Sequence, residues 1–147
     1  MELYTIGYQG TDLLTYIQAL QEVGVDVLVD VRETAWSYKR GFCKTALSTE
    51  LAKAGIEYIH LKSAGNPKEN RRNSRTMAEC LGNYRRHLAK NPAGLHDVLA
   101  VVAQARTQKK KVCLTCFEKE HLECHRSILA SAVAKHVKQL RQVHLST

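Results

Sequence analysis

No stretch of this chain is apolar for long enough to cross a membrane, and its first residues, Met-Glu-Leu-Tyr-Thr-Ile-Gly, contain neither the basic segment nor the hydrophobic core of a secretion signal. A cytoplasmic protein without membrane attachment is expected. Internal repeats and low-complexity tracts are also missing, which excludes solenoid and fibrous architectures. Five cysteines cannot all pair within one chain, and without an export signal they are expected to be reduced. That excludes a disulfide framework and leaves metal binding, catalysis or packing. No second Cys-x2-Cys pair accompanies Cys113 and Cys116. The odd spacing of these two on a strand sends them to opposite faces, so Cys113 is expected in the core and no metal site is assigned.

Hydrophobic residues at 44% and charged residues at 24% are those of an ordinary globular chain, and 147 residues suffice for one domain, 1–147, with a real core. The 22 Lys+Arg against 14 Asp+Glu give a net charge of +8, a balance that favours polyanionic or phosphate-bearing partners. Strand-like and helix-like patterns alternate. The stretch 3–8 reads as a strand, and Leu13, Leu14, Ile17 and Leu20 share a helical face that Gly24 closes. Residues 25–32 are nearly continuously apolar until Asp30, as in a strand buried on both sides. A helix around Leu47 and Leu51 and a strand at 56–61 follow. Two helices then carry Cys80, Leu81 and Tyr84, and Val98 and Val102. Strand 112–116, a helix through Leu129 and Val133, and a short edge strand at 141–145 complete the chain. The expected fold class is an α/β single-domain sandwich, with a mostly parallel four- or five-stranded sheet flanked by helices.

Open parallel sheets hold ligands outside the carboxyl ends of their strands. Gly7 and Tyr8 belong to that edge after the first strand, Asp30 and Arg32 after the second, and Cys116 and Glu118 after the fourth. The stretch 111–126 adds Cys124, His125 and Arg126 at a helix start, where free N–H groups and a positive field gather. Arg32 and Arg126 are expected to form an anion cradle. Glu118, His125 and Cys124 are the candidate catalytic residues, the first two for proton transfer and the third as a thiol acidified by its surroundings. His125 lies four residues before Leu129, so it should share the buried face, with burial and the helix field favouring a neutral ring. Trp36, in a loop with Tyr38, Lys39 and Arg40, is suited to stacking on a base while basic neighbours meet a phosphate. The polar loop 62–75 carries Lys68, Arg71, Arg72 and Arg75, read as a phosphate-gripping flap or a nucleic-acid-binding surface.

The quoted segments resemble the domain-of-unknown-function 488 family. Thr5-Ile6-Gly7, Asp30-Val31-Arg32, Gly55-Ile56-Glu57-Tyr58 and Cys116-Phe117-Glu118 with Cys124-His125-Arg126 carry the likeness over nearly the whole chain. Tyr8 stands where that family often has histidine, and Thr34-Ala35-Trp36 replaces a proline-containing loop. The resemblance implies an α/β fold and supplies no activity. A strand-end Asp-x-Arg-Glu also occurs in rhodanese domains, but their cysteine loop is unmatched here. The expected function is binding of a phosphate-bearing ligand, a nucleotide or nucleic acid, at the strand ends, with or without its processing. The alternatives are a non-catalytic nucleic-acid-binding module and a thiol or metal protein centred on Cys124. The sequence names no cofactor and fixes no oligomeric state.

Overall fold

In the computed structural model, which describes residues 1–147, alternate residues of the central strands feed two separate cores on opposite sides of one sheet. The strands are β1 (Glu2–Gly7), β2 (Val27–Asp30), β3 (Glu57–His60), β4 (Val112–Cys116) and β5 (Arg141–His144). They lie in the order β3-β2-β4-β1-β5, and all four neighbouring pairs are parallel. Helices α1 (Leu13–Val23) and α2 (Lys44–Lys53) cover one face. Helices α5 (Ala93–Thr107) and α6 (His125–His136) cover the other, and the short α3 (Lys68–Arg72) and α4 (Met77–Lys90) precede them. Crossovers run on one face as the chain steps from β1 to β3 and on the other as it steps back, as right-handed connections require. No helix is long and apolar enough to cross a membrane.

The α/β sandwich is thus wholly parallel and five-stranded. Pleating puts Cys113 among Tyr4, Ile6, Tyr16 and Leu28 on the α1 side, and Cys116 among Val29, Val31, Cys124 and Leu129 on the α6 side. Helix α1 starts where the Asp12 carboxylate accepts a hydrogen bond from the Thr15 N–H, and it stops at Gly24, whose φ of 76° is left-handed. Its buried residues are Tyr16 and Leu20, whereas Leu14 is exposed, so the inward face is rotated from the expected one. Tyr16 can be buried because its hydroxyl hydrogen-bonds Thr115 Oγ1 at 2.6 Å.

The segment 62–75, expected as a polar loop, is anchored in the fold at its start. It begins with a 3-10 turn, Lys62–Ala64, in which Ala64 is fully buried and its carbonyl accepts the Tyr84 hydroxyl at 2.8 Å. Gly94 of α5 packs so closely on this turn that an added Cβ would press on the Ser63 carbonyl. The segment's basic side chains, Lys62, Lys68, Arg71, Arg72 and Arg75, are all exposed, and its buried residues are Ala64, Gly65 and Asn66.

At the sheet edge, the His144 ring stacks on His121 with centroids 3.7 Å apart and its Nδ1 meets Thr5 Oγ1 at 2.6 Å. Burial, and then the charges of His121 and Arg126, push the His144 pKa down from 6.5 to about 4. Below pH 6.5 the unfolded chain gains a proton here that the folded chain refuses until about pH 4, so stability is complete above that window and falls across it. His144→Asn is expected to lose part of this acid lability. Thermal unfolding at the two ends of the window checks it, and an equal acid-induced drop in both proteins would refute it.

Candidate functional cleft

Beyond β4 the chain crosses the carboxyl edge of the sheet, makes a 3-10 turn at His121–Glu123, and re-enters as α6 with extended Cys124 as its N-cap. This fold-back brings Cys124 and His125 to Cys116. His125 Nδ1 lies 3.7 Å from Cys116 Sγ and 3.8 Å from Cys124 Sγ. Its Nε2 lies 2.6 Å from the Val31 carbonyl oxygen. A carbonyl can only accept, so Nε2 carries the hydrogen and Nδ1 is the atom turned towards the two sulfurs. Tyr84 packs edge-on against the ring at 4.9 Å.

Charge is unevenly shared in this cluster. Burial, and then the adjacent Cys124, push the Glu118 carboxyl up to about 7, and Glu118 Oε2 lies 3.8 Å from Cys116 Sγ. Burial disfavours the Cys124 thiolate, yet hydrogen bonding from Cys116 and His125 and the charges of His125 and Arg126 hold Cys124 well below the ordinary thiol range. The Cys116 thiol is held well above it by that same hydrogen bond and by burial. Burial alone would also lower His125, but the Cys124 sulfur and the Val31 carbonyl raise it above 6.5. The shift runs opposite to the one expected from burial and the helix field, because the Cys124 sulfur stands beside Nδ1.

The two arginines expected to share an anion do not. The Arg32 side chain grips Asp30, with Nε 2.9 Å from Oδ1 and Nη2 2.7 Å from Oδ2, and its Nη1 donates to the Phe42 carbonyl at 2.7 Å and the Tyr8 hydroxyl at 3.1 Å. Tyr58 adds its hydroxyl to Asp30 at 2.5 Å. Tyr8 stacks on Phe42 at 4.5 Å, a phenol braced by an aromatic ring. Arg126 is fully buried and donates to the carbonyls of Glu118 and Lys119, while its Nε has no hydrogen-bond partner. Each guanidinium is held by its own loop, and Arg126 does not open on the cleft.

A cleft of about 900 Å³ lies above this floor. Cys116, Glu118 and His125 line its base with Tyr8 and Arg32, while Trp36, Tyr38 and Lys39 come from one side and Lys68, Arg71 and Arg75 from the other. Residues distant in sequence, including the basic segment and the aromatic loop, thus meet the strand ends in one place. Gly7, Asp30, Cys124 and Arg126 lie beneath or behind it and support it, and Arg72 does not line it. Gln9, which also follows the first strand, lines the cleft, whereas sequence reasoning missed Ser37, Glu123 and the buried Asn66 as wall residues. It also missed Tyr58 and Phe42 as the partners that fix Asp30 and Arg32. Position in a strand end was the available signal for Tyr58, two residues before His60.

Fold and cleft together define an α/β protein with thiol, imidazole and carboxyl groups gathered at the carboxyl edge of a parallel sheet. The chain belongs to the family described as Domain of unknown function DUF488, whose pattern matches residues 12–133, from the N-cap of α1 to the buried part of α6. No curated protein and no solved structure matches it.

Proposed function

We propose that the cleft binds a phosphate-bearing ligand, a nucleotide or a short single-stranded stretch of nucleic acid, and presents it to Cys116, Glu118 and His125. The convergence of Lys68, Arg71 and Arg75 with the exposed rings of Trp36 and Tyr38 on one cleft carries this reading. Aromatic rings take bases of any sequence by stacking, and lysine and arginine meet the phosphates. Trp36 and Tyr38 already pack edge to face at 4.4 Å, so a base can lie on the outer side of the pair. The overall charge of +8 draws polyanions towards this surface. The base of the cleft is where a bound ligand would meet groups able to move a proton, which extends the reading from binding to processing.

Trp36 is the only tryptophan, so its fluorescence reports directly on the cleft. Titration with an oligothymidylate or a nucleoside triphosphate, in chelator, is expected to quench it. Replacing Lys68, Arg71 and Arg75 together by alanine should weaken oligonucleotide binding at least ~10-fold and reduce the slope of log K against log salt by about 2, at roughly 0.7 per lost contact. Unquenched Trp36, or a triple variant with the affinity and salt slope of the parent, would overturn the reading.

A further inference from the structure

The Cys116, Cys124 and His125 cluster lies below the ligand cleft and has a geometry of its own. Their ligating atoms all lie within 4.8 Å of one another, in a buried pocket of the α6 side. Zinc–sulfur bonds of about 2.3 Å and zinc–nitrogen bonds of about 2.0 Å at tetrahedral angles separate a ligand sulfur from a ligand nitrogen by about 3.5 Å. Here His125 Nδ1 stands 3.7 and 3.8 Å from the two sulfurs. The two nitrogen–sulfur distances therefore need to change only by tenths of an ångström, and the two sulfurs, which lie within 4.8 Å, need to stand about 3.8 Å apart.

The surroundings fit as well. Histidines that ligate metals donate their other ring N–H to a carbonyl or carboxylate, which fixes the tautomer and aims the free lone pair. Val31 does this for His125 Nε2 at 2.6 Å. Cys124 is the N-cap of a twelve-residue helix, where the helix field favours anionic sulfur. Two thiolates, the Glu118 carboxylate, a divalent ion and the buried Arg126 guanidinium sum to zero charge, which answers why a fully buried arginine here has no carboxylate partner of its own. Cys113 takes no part because strand parity puts it in the opposite core.

We propose that Cys116, Cys124 and His125 bind one thiophilic divalent ion, zinc first among them, with the fourth position open to the cleft beside Glu118. Three protein ligands with an open position are the arrangement of catalytic rather than structural zinc sites. Cys116 and His125 line the cleft and Cys124 lies behind them, so the open position points towards whatever the cleft holds. Sulfur donors select zinc over magnesium or calcium. The proposal does not depend on the nature of the cleft's ligand.

The test is a cobalt titration of reduced, chelator-stripped protein. One equivalent is expected to produce a thiolate-to-cobalt charge-transfer band in the near ultraviolet and the intense visible bands of four-coordinate cobalt, both bleached by one equivalent of zinc. Cys116→Ser and His125→Gln should lower the affinity at least ~100-fold, the upper end of what removing a mere supporting group costs. Cys43→Ser, at a half-buried thiol outside the cluster, should leave it unchanged. Failure of the parent protein to bind one equivalent, or binding without the sulfur band, overturns the proposal even where a variant does not fold. So does a Cys116→Ser variant whose sulfur band keeps the intensity and the cobalt affinity of the parent. Because oligonucleotide binding is measured in chelator, loss of one reading leaves the other standing.

Discussion

Asp30→Ala is expected to lower the unfolding free energy by roughly 3–5 kcal/mol, the cost of leaving a buried charge without its partner. Asp30 is fully buried, and its two oxygens receive Nε and Nη2 of Arg32, the Arg32 backbone N–H at 3.1 Å and the Tyr58 hydroxyl. Truncation leaves the Arg32 guanidinium, itself only 5% exposed, with two neutral acceptors and no counter-charge. Asp30→Asn, which keeps shape and some hydrogen bonds but not charge, should fall between. Arg32 also holds the Phe42 carbonyl and Tyr8, so the damage should spread to the aromatic wall of the cleft. Urea unfolding at neutral pH, followed by circular dichroism and by Trp36 fluorescence, measures both. A loss below about 1 kcal/mol, the value of an exposed pair, would mean that the pair is not the buried keystone its geometry describes.

The pair shows what a sequence can and cannot say. Asp30 and Arg32 were legible as strand-end residues because the apolar run before them marks a doubly buried strand, and parallel sheets put such residues at the ligand edge. Their partners were not legible: Tyr58 reaches Asp30 from the neighbouring strand, and Phe42 reaches Arg32 from the loop before α2. Strand order decides the first contact and the path of the loop 31–43 the second, and periodicity carries information on neither. The anion cradle failed for a related reason. Two arginines near one rim look alike in sequence, but a guanidinium goes to whichever acceptors its loop offers, and both loops offer carbonyls.

Strand parity was the more reliable guide. A period of two needs no knowledge of neighbours, so it placed Cys113 and Cys116 in opposite cores. Helical period placed His125 on a buried face for the same reason. It misjudged Leu14 because an amphipathic stripe fixes only the approximate azimuth, and a tyrosine with a buried hydroxyl partner can displace a leucine from the centre of the contact. The buried start of segment 62–75 was not legible because small residues, Ala64 and Gly65, can be buried where charge dominates the composition. Whether Cys124 would meet Cys116 depended on a seven-residue excursion between them, whose path no local pattern dictates.

That excursion is locked down at one point, and Gly7→Ala should break it. Gly7 ends β1 opposite Cys116, and an added Cβ would overlap the carbonyl carbon and oxygen of Glu118. These are backbone atoms and cannot rotate away, so either β1 or the loop after β4 must move. The Glu118 carbonyl is also the acceptor for Arg126 Nη1, and the following residues bond back to β1 through Gln9, whose N–H donates to Phe117 at 2.8 Å and whose Oε1 accepts from Lys119 at 3.1 Å. Displacing the loop therefore strands a fully buried guanidinium and pulls Cys116 and Glu118 away from His125. The expected loss is about 3 kcal/mol or more, overpacking and an orphaned buried charge acting together. Gly10→Ala is the comparison: Gly10 has a left-handed φ of 77° but open space where a Cβ would go, so only backbone strain of about 1 kcal/mol applies. Equal losses in the two variants would show that the loop yields freely. A large difference, with cobalt affinity falling in Gly7→Ala and not in Gly10→Ala, would show that a close approach of two backbones, rather than any side chain, sets the position of the thiol cluster.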